Sequence, residues 1–310
     1  MIEGENFTLY FLCTFLMPNT LFKYILYTGN HNIIIYFYKE ENIMERKYEC
    51  INETITVGDK TLYRIKALKD FGDVKADDLG GFLENEDNLN HEGNCWISDN
   101  ACVFGDAYVS DNAWVSGNAR VYDDAIVFGE ALICGDARVF GKAQVFGDAR
   151  VFGNAYVFGD ARVFGNAYVF DNAWVSTNAK VFDNAWVSGN AKVSGNAQIY
   201  NNAKVYNNSH VLGRSIVKGS TTLVDNVEIS DYGYIESSND YLYIASLGPD
   251  MNNMTIYLNK DKEILVSYFT DPLSIDDFIT KVDELDEPYK TRCLLAVEFG
   301  KKVFENNIKN

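Results

Sequence analysis

The sequence predicts an all-β solenoid, a parallel β-helix of about eight 18-residue coils, followed by a small C-terminal α+β unit. The main observation is a six-residue repeat in which Val, Ile or Leu recurs at all 24 positions from Ile97 to Ile235. Two residues before each aliphatic stands a small residue, which is alanine at every such position from Ala101 to Ala203. A Gly, Asp or Asn followed most often by Asp or Asn completes nearly every unit. Such strict periodicity is typical of solenoids.

The repeat is too short for a pair of helix turns and too regular for hairpins. A Val with outward-facing neighbours fits a short strand that is buried on one side. The Gly-Asp and Gly-Asn pairs tolerate the left-handed backbone of a sharp corner, where the alanine is small enough to lie inside. We therefore expect three strands and three corners to close one 18-residue lap, which gives a rod about 38 Å long at ~4.8 Å per coil.

Sorting the outward residues by the period of eighteen predicts aromatic columns. One side carries five rings in successive coils, and a second carries Tyr122 with two phenylalanines, while Phe152 and Phe170 lie on the third. Arginines fall beside tyrosines in the same columns, Arg138 next to Tyr156 and Arg150 next to Tyr168, where cation–π contacts are expected. The candidate interface residues are Phe128, Phe146, Phe164, Phe182, Tyr200, Phe140, Phe158, Arg138, Arg150 and Arg162. The alternative is that the ladders only stabilise the stacked strands.

The flanks of the repeat define the remaining organisation. Residues 1–43 are apolar but interrupted, and the purine-rich codons required by Lys39-Glu40-Glu41-Asn42 resemble a ribosome-binding site just before Met44. We therefore expect a mis-assigned leader over 1–43, with a genuine hydrophobic anchor as the alternative. Residues 44–94 are predicted to form an N-terminal cap, with a strand at 61–68 and a loop that turns at Gly80-Gly81. Residues 95–236 are predicted to form the β-helix. Residues 237–310 read as a βββαα domain with Ser274 as a helix N-cap.

Charge and cysteine content exclude several classes of function. The net charge of −17 argues against direct nucleic-acid binding. No apolar run reaches the ~20 residues that a transmembrane helix needs, so no membrane association is expected. The six cysteines lack zinc-site spacing, and we interpret them as reduced thiols in a cytoplasmic protein. No metal and no cofactor are predicted.

Two stretches resemble known families. The [LIV]-x-x-x-small-x pattern resembles the hexapeptide repeat of left-handed β-helices, a resemblance that implies a left-handed coil and a trimer, the usual state in that superfamily. A right-handed, bactofilin-like helix is the structural alternative. Residues 65–101, with their Asp-Val-Lys, Gly-Gly and Gly-Asn-Cys-Trp motifs, resemble the start of YdcK-like hexapeptide-repeat proteins of the phage and gut-bacterial type. The C-terminal unit is similar to the tail of phage-borne proteins of this kind.

Three functions follow as hypotheses. The favoured one is a non-catalytic scaffold or interaction protein that self-associates, most simply as a trimer, through an aromatic face. A protein or carbohydrate stacked on the rings is the next possibility. The second hypothesis is an acyltransferase using acetyl-CoA, with His210 as the candidate general base, because hexapeptide acyltransferases use a histidine. The third is an acidic decoy that inhibits a nucleic-acid-binding protein of the host.

Overall fold

The computed structural model describes residues 8–17, 20–29, 32–40, 45–247, 252–268 and 272–308, and divides into two units at Arg46. The first unit contains an antiparallel sheet of three strands, in the order of the chain. These strands are Thr8–Met17, Thr20–Gly29 and Asn32–Glu40. The start predicted at Met44 lies outside the described residues.

The repeat forms 24 two-residue strands in three parallel sheets, eight strands to a sheet. Sheet I contains Trp96–Ile97, Trp114–Val115, Leu132–Ile133, Arg150–Val151, Tyr168–Val169, Trp186–Val187, Lys204–Val205 and Thr222–Leu223. Sheet II contains Cys102–Val103, Arg120–Val121, Arg138–Val139, Tyr156–Val157, Trp174–Val175, Lys192–Val193, His210–Val211 and Glu228–Ile229. Sheet III contains Tyr108–Val109, Ile126–Val127, Gln144–Val145, Arg162–Val163, Lys180–Val181, Gln198–Ile199, Ile216–Val217 and Tyr234–Ile235.

The register of these sheets confirms the predicted lap. Each residue pairs with the residue eighteen positions later, as Arg138 does with Tyr156, so chemically equivalent positions stack in columns. The second residue of every strand and the alanines are fully buried. The corners adopt the left-handed backbone, with φ of 70° at Gly135 and 57° at Asp171. The sequence-based prediction of a β-solenoid of about eight coils is therefore confirmed, whereas its left-handed sense stays a prediction.

Three antiparallel strands extend sheet II at its N-terminal end to eleven strands. These strands are Tyr48–Val57, Lys60–Ala67 and Leu79–Leu83, and a 3₁₀ turn follows at Glu86–Asn88. Leu79–Leu83 runs parallel to Cys102–Val103, and Leu89 bridges to Val109, so this segment adds an irregular partial turn before the first coil. The predicted turn at Gly80-Gly81 is wrong, because both glycines lie inside a strand. A Cβ on Gly80 would lie 2.5 Å from Ile65 Cγ1, so glycine is needed here for close packing.

A buried lysine closes this end of the rod. Lys47 is 1% exposed, and its Nζ donates to the Cys95 carbonyl at 2.8 Å and to the Cys95 thiol at 3.1 Å. Burial lowers the pKa of Lys47, an effect that the neighbouring thiol opposes. The hydroxyl of Tyr48 donates to the carbonyls of Glu86 and Leu89 at 2.9 and 2.8 Å. Carbonyls that no further coil covers thus receive side-chain donors instead.

The C-terminal unit is a four-stranded antiparallel sheet with two helices. Its strands are Tyr241–Ile244, Met254–Leu258, Ile264–Ser267 and Leu273–Ser274, and its helices are α1, Ile275–Val282, and α2, Tyr289–Ile308. Ser274 is the N-cap of α1 and accepts from the Asp277 amide at 3.2 Å. The predicted βββαα unit lacked the short fourth strand, Leu273–Ser274.

The last coil packs on this unit through Tyr257, which is fully buried and donates to the Ser230 carbonyl at 2.6 Å. The sheet thereby covers the open end of the solenoid, as exposed solenoid ends require. Neither helix in the described part of the chain has the length and apolar character that crossing a bilayer demands.

Candidate functional site

Sheet III carries a continuous aromatic column. We call this column, together with the other outward residues of sheet III, the ladder face. The five predicted rings stack with centroid separations of 4.8 to 4.9 Å and interplanar angles of 1° to 8°. They are Phe128, Phe146, Phe164, Phe182 and Tyr200. Because each ring covers its neighbour, all five are half-buried and present mainly their edges to solvent.

The other two sides carry shorter columns. On sheet II, Tyr122, Phe140 and Phe158 stack at 4.9 to 5.0 Å, and Phe104, which the sequence analysis missed, extends the column by one coil at 5.0 Å. On sheet I, Phe152 and Phe170 stack at 4.9 Å. The ladder face is therefore the longest of the three.

Cations lie beside rings in the columns formed by the first residue of each strand, as the period of eighteen predicts. The guanidinium of Arg138 lies 5.3 Å from the ring of Tyr156, and that of Arg150 lies 5.5 Å from the ring of Tyr168. Two further pairs join lysine to tryptophan, namely Lys192 with Trp174 at 5.5 Å and Lys204 with Trp186 at 5.0 Å. Arg162 differs, because it lies on the ladder face between Gln144 and Lys180 rather than beside a ring.

Charge is separated between the flat sides and the corners of the solenoid. Of the ten Lys and Arg residues between 95 and 236, eight lie on flat sides, the exceptions being Lys142 and Arg214. Of the fifteen Asp and Glu residues, thirteen lie at corners, the exceptions being Glu228 and Glu236. The rod thus presents sides that are basic and aromatic, separated by acidic edges.

Polar side chains also connect the corners along the rod. Aspartates at left-handed corner positions accept the backbone amide of the next coil, as Asp99 does from Gly117 at 2.9 Å and Asp171 from Gly189 at 3.2 Å. At the following position, asparagine amides form ladders, the longest of which runs from Asn154 to Asn226 in 18-residue steps at 2.9 to 3.2 Å. These contacts satisfy corner groups without any ligand.

His210 lies apart from the ladder face, on sheet II near the C-terminal end of the solenoid. Its side chain borders a cavity of about 250 Å³ between the last coils and the C-terminal sheet. The residues around this cavity, which we call the His210 cavity, are Asn208, His210, Asn226, Glu228, Asn252, Asn253, Thr255 and Ser267. Sequence reasoning found the histidine but not the cavity, since half of the lining follows the repeat.

The electrostatic surroundings of His210 are set by its column. Strand pairing places His210 between Lys192 and Glu228. Burial lowers the pKa of the imidazole below its ordinary value, the charge of Lys192 lowers it further, and Glu228 opposes both effects. The lowered pKa favours the neutral imidazole, in which one nitrogen can donate a hydrogen bond and the other can accept one.

Comparison with known families agrees with the repeat. Three segments, residues 113–129, 143–159 and 197–213, match the family described as the YdcK beta solenoid repeat. No protein with a curated description matches the chain. The matched segments lie within the three-sided coil, where their valines and alanines form the buried core. The chain is therefore a β-solenoid protein of the YdcK-like repeat type.

Proposed function

We propose that the chain is a non-catalytic scaffold that self-associates through the ladder face. The observation that carries the proposal is the five-ring column from Phe128 to Tyr200, which is the longest run of stacked rings in the described residues. Ile126 and Ile216 flank the column on the same sheet and are likewise half-buried. An apolar strip of this length on a protein surface is typical of an interaction site.

We propose that a second copy of the chain binds to the ladder face, because the coil spacing of one solenoid matches that of the other. Both rods repeat at ~4.8 Å per coil, so a contact made in one coil is repeated in the next. The charges are also complementary. The ladder face carries Arg162 and Lys180, whereas a neighbouring rod offers acidic corners at the same spacing.

The available area is compatible with this proposal. Eight coils give a side ~38 Å long, and four residues per side give a width of ~13 Å, so the flat side covers about 500 Å². Adding the corner residues brings the area near the ~800 Å² per partner of a stable interface. We expect a trimer, the state that the resemblance to hexapeptide-repeat proteins implies, and we place it in the cytoplasm, where the free cysteines stay reduced. Phage or prophage origin, also implied by the resemblance, stays a prediction.

The test is light scattering after size-exclusion chromatography. Wild type is expected at three times the 35.0 kDa chain mass, and the double variant Phe146→Ser/Phe164→Ser at the mass of one chain. The matched control is Phe152→Ser/Phe170→Ser, which removes an equivalent stacked pair from sheet I and should leave the assembly intact. A monomeric wild type, or equal dissociation of both variants, would contradict the proposal.

A CoA-dependent acyltransferase is the second candidate, favoured by the position of His210. A neutral imidazole at the edge of a cavity has the protonation state that a general base requires. This candidate predicts that acetyl-CoA binds with micromolar affinity and that His210→Ala abolishes acetyl transfer. Calorimetric titration with acetyl-CoA decides between the two functions, because a scaffold gives no heat of binding.

A further inference from the structure

We propose that the His210 cavity binds a neutral, hydroxyl-rich molecule of about the size of one sugar ring. This inference is independent of self-association, since the cavity lies on sheet II and the ladder face on sheet III. The cavity volume of about 250 Å³ is close to the lower end of the ~300–1,000 Å³ found for small-molecule sites.

The cavity is built from two parts of the chain that hydrogen bonds hold together. The Glu228 amide donates to Thr255 Oγ1 at 3.1 Å, and Ser267 Oγ donates to Glu228 Oε1 at 3.2 Å. Asn226 Nδ2 donates to the Tyr243 hydroxyl at 3.2 Å. The last coils and the C-terminal sheet therefore hold the lining residues in fixed positions, so the cavity is formed before a ligand arrives.

Several polar groups of the lining lack partners within the described part of the chain. Asn252 Nδ2 is buried and has no hydrogen-bond partner there. The imidazole of His210 makes no side-chain hydrogen bond to the described residues, and neither does the second carboxylate oxygen of Glu228. Asn252 Nδ2 is the buried one of these groups, and a buried donor without a partner is unfavourable. The lining therefore favours a ligand that accepts from Asn252 and exchanges hydrogen bonds with His210 and Glu228.

The chemistry of the lining selects neutral hydroxyl groups. All eight side chains are polar, which disfavours an apolar ligand. The carboxylate of Glu228 disfavours anions, and Lys192, one coil before His210, disfavours cations. A sugar hydroxyl can donate to Glu228 or His210 and accept from the amide of Asn252, so it satisfies both kinds of group.

The test combines ligand-observed saturation-transfer NMR with protein-observed spectra of the His210 imidazole, on the full chain with six probes. Glucose, galactose, mannose and N-acetylglucosamine are the neutral probes, and glucuronate and glucosamine the charged ones. At least one neutral sugar is expected to receive saturation transfer and to shift the His210 imidazole resonances. His210→Ala should weaken its binding about tenfold, because a hydrogen bond to the ligand is lost. Glu228→Gln should weaken it less, because the amide oxygen still accepts but without the charge of the carboxylate. The matched control Gln198→Ala removes a side chain at the equivalent strand position of sheet III and should leave binding unchanged.

Three results would overturn the proposal. One is that no neutral sugar binds wild type, and another is that a charged probe binds while the neutral ones do not. The third is sugar binding that leaves the His210 resonances of wild type unmoved, since the ligand then lies elsewhere. This last readout needs no variant, so it decides the matter even if a substitution disturbs folding. None of these outcomes depends on the oligomeric state, so the scaffold proposal is tested separately.

Discussion

The corner glycines allow a quantitative test of what stabilises the solenoid. Gly135 has φ of 70°, and a Cβ added to it would lie 2.9 Å from the backbone nitrogen of Gly153 in the next coil. In the same column, Asp99 and Asp171 occupy the equivalent corner at φ of 57°. Their carboxylates accept the amide one coil later, at 2.9 and 3.2 Å. A side chain is therefore tolerated at this corner when it can accept that amide.

We expect Gly135→Ala to lower the free energy of unfolding by about 1–2 kcal/mol, since a Cβ is unfavourable at positive φ. The close approach to Gly153 should add to this loss. Gly135→Asp carries the same backbone cost, but its carboxylate can accept the Gly153 amide, which returns about 1 kcal/mol. The aspartate variant should therefore be more stable than the alanine variant by about 1 kcal/mol.

Urea unfolding followed by tryptophan fluorescence measures these differences in the free energy of unfolding. The comparison requires that the slope of this free energy against urea concentration is the same in all variants. Gly58→Ala is the control, because Gly58 also has positive φ, at 63°, but nothing lies within 4 Å of its added Cβ. It isolates the backbone cost from the contact with the next coil. Equal stability of Gly135→Asp and Gly135→Ala would refute the role assigned to the corner carboxylates.

Three further predictions concern the core and the histidine. Val163→Ala should lower the free energy of unfolding by about 2 kcal/mol in urea titration, because Val163 is fully buried, whereas Arg162→Ala on the outside should change it by under ~0.5 kcal/mol. Ser209→Ala should raise the free energy of unfolding by about 1 kcal/mol, since the buried hydroxyl has no partner in the described residues and alanine occupies the equivalent position of every unit from Ala101 to Ala203. A lower stability would contradict this reasoning. Because folding lowers the pKa of His210, protonation of the imidazole favours the unfolded state. Wild type should therefore lose stability as pH falls through 6.5, and His210→Gln should lose less. Parallel curves of stability against pH would show that the imidazole is not involved.

The sequence predicted the solenoid well because one periodic signal fixes strand, corner and register together. Once eighteen residues make a lap, the stacking of Phe146 on Phe164 and of Arg138 on Tyr156 follows from counting. Phe104 was missed only because the column was not followed back to the first coil. The small C-terminal unit was also predictable, since Ser274 and the apolar spacing after it are local signals.

What the sequence could not predict depends on contacts between distant segments. The strand Tyr48–Val57 has its register shifted between Cys50 and Thr54, so alternation along it is broken. Gly80-Gly81 has the composition of a turn, but the close approach of Ile65 makes it a strand. The His210 cavity needs residues from the C-terminal sheet, and no periodicity relates them to the histidine.

Because every strand pairs with a strand of the next coil, the core and the surface of the solenoid tolerate different insertions and deletions. An insertion of six residues keeps each valine inside, because any hexapeptide can occupy any side. It nevertheless advances all later units by one side, so the aromatic column breaks and the C-terminal sheet moves to a different side relative to the N-terminal strands. Only insertions or deletions of whole laps of eighteen residues preserve both the buried core and the outward columns. The length of the rod can therefore vary in whole laps without loss of either its interior or its outward pattern.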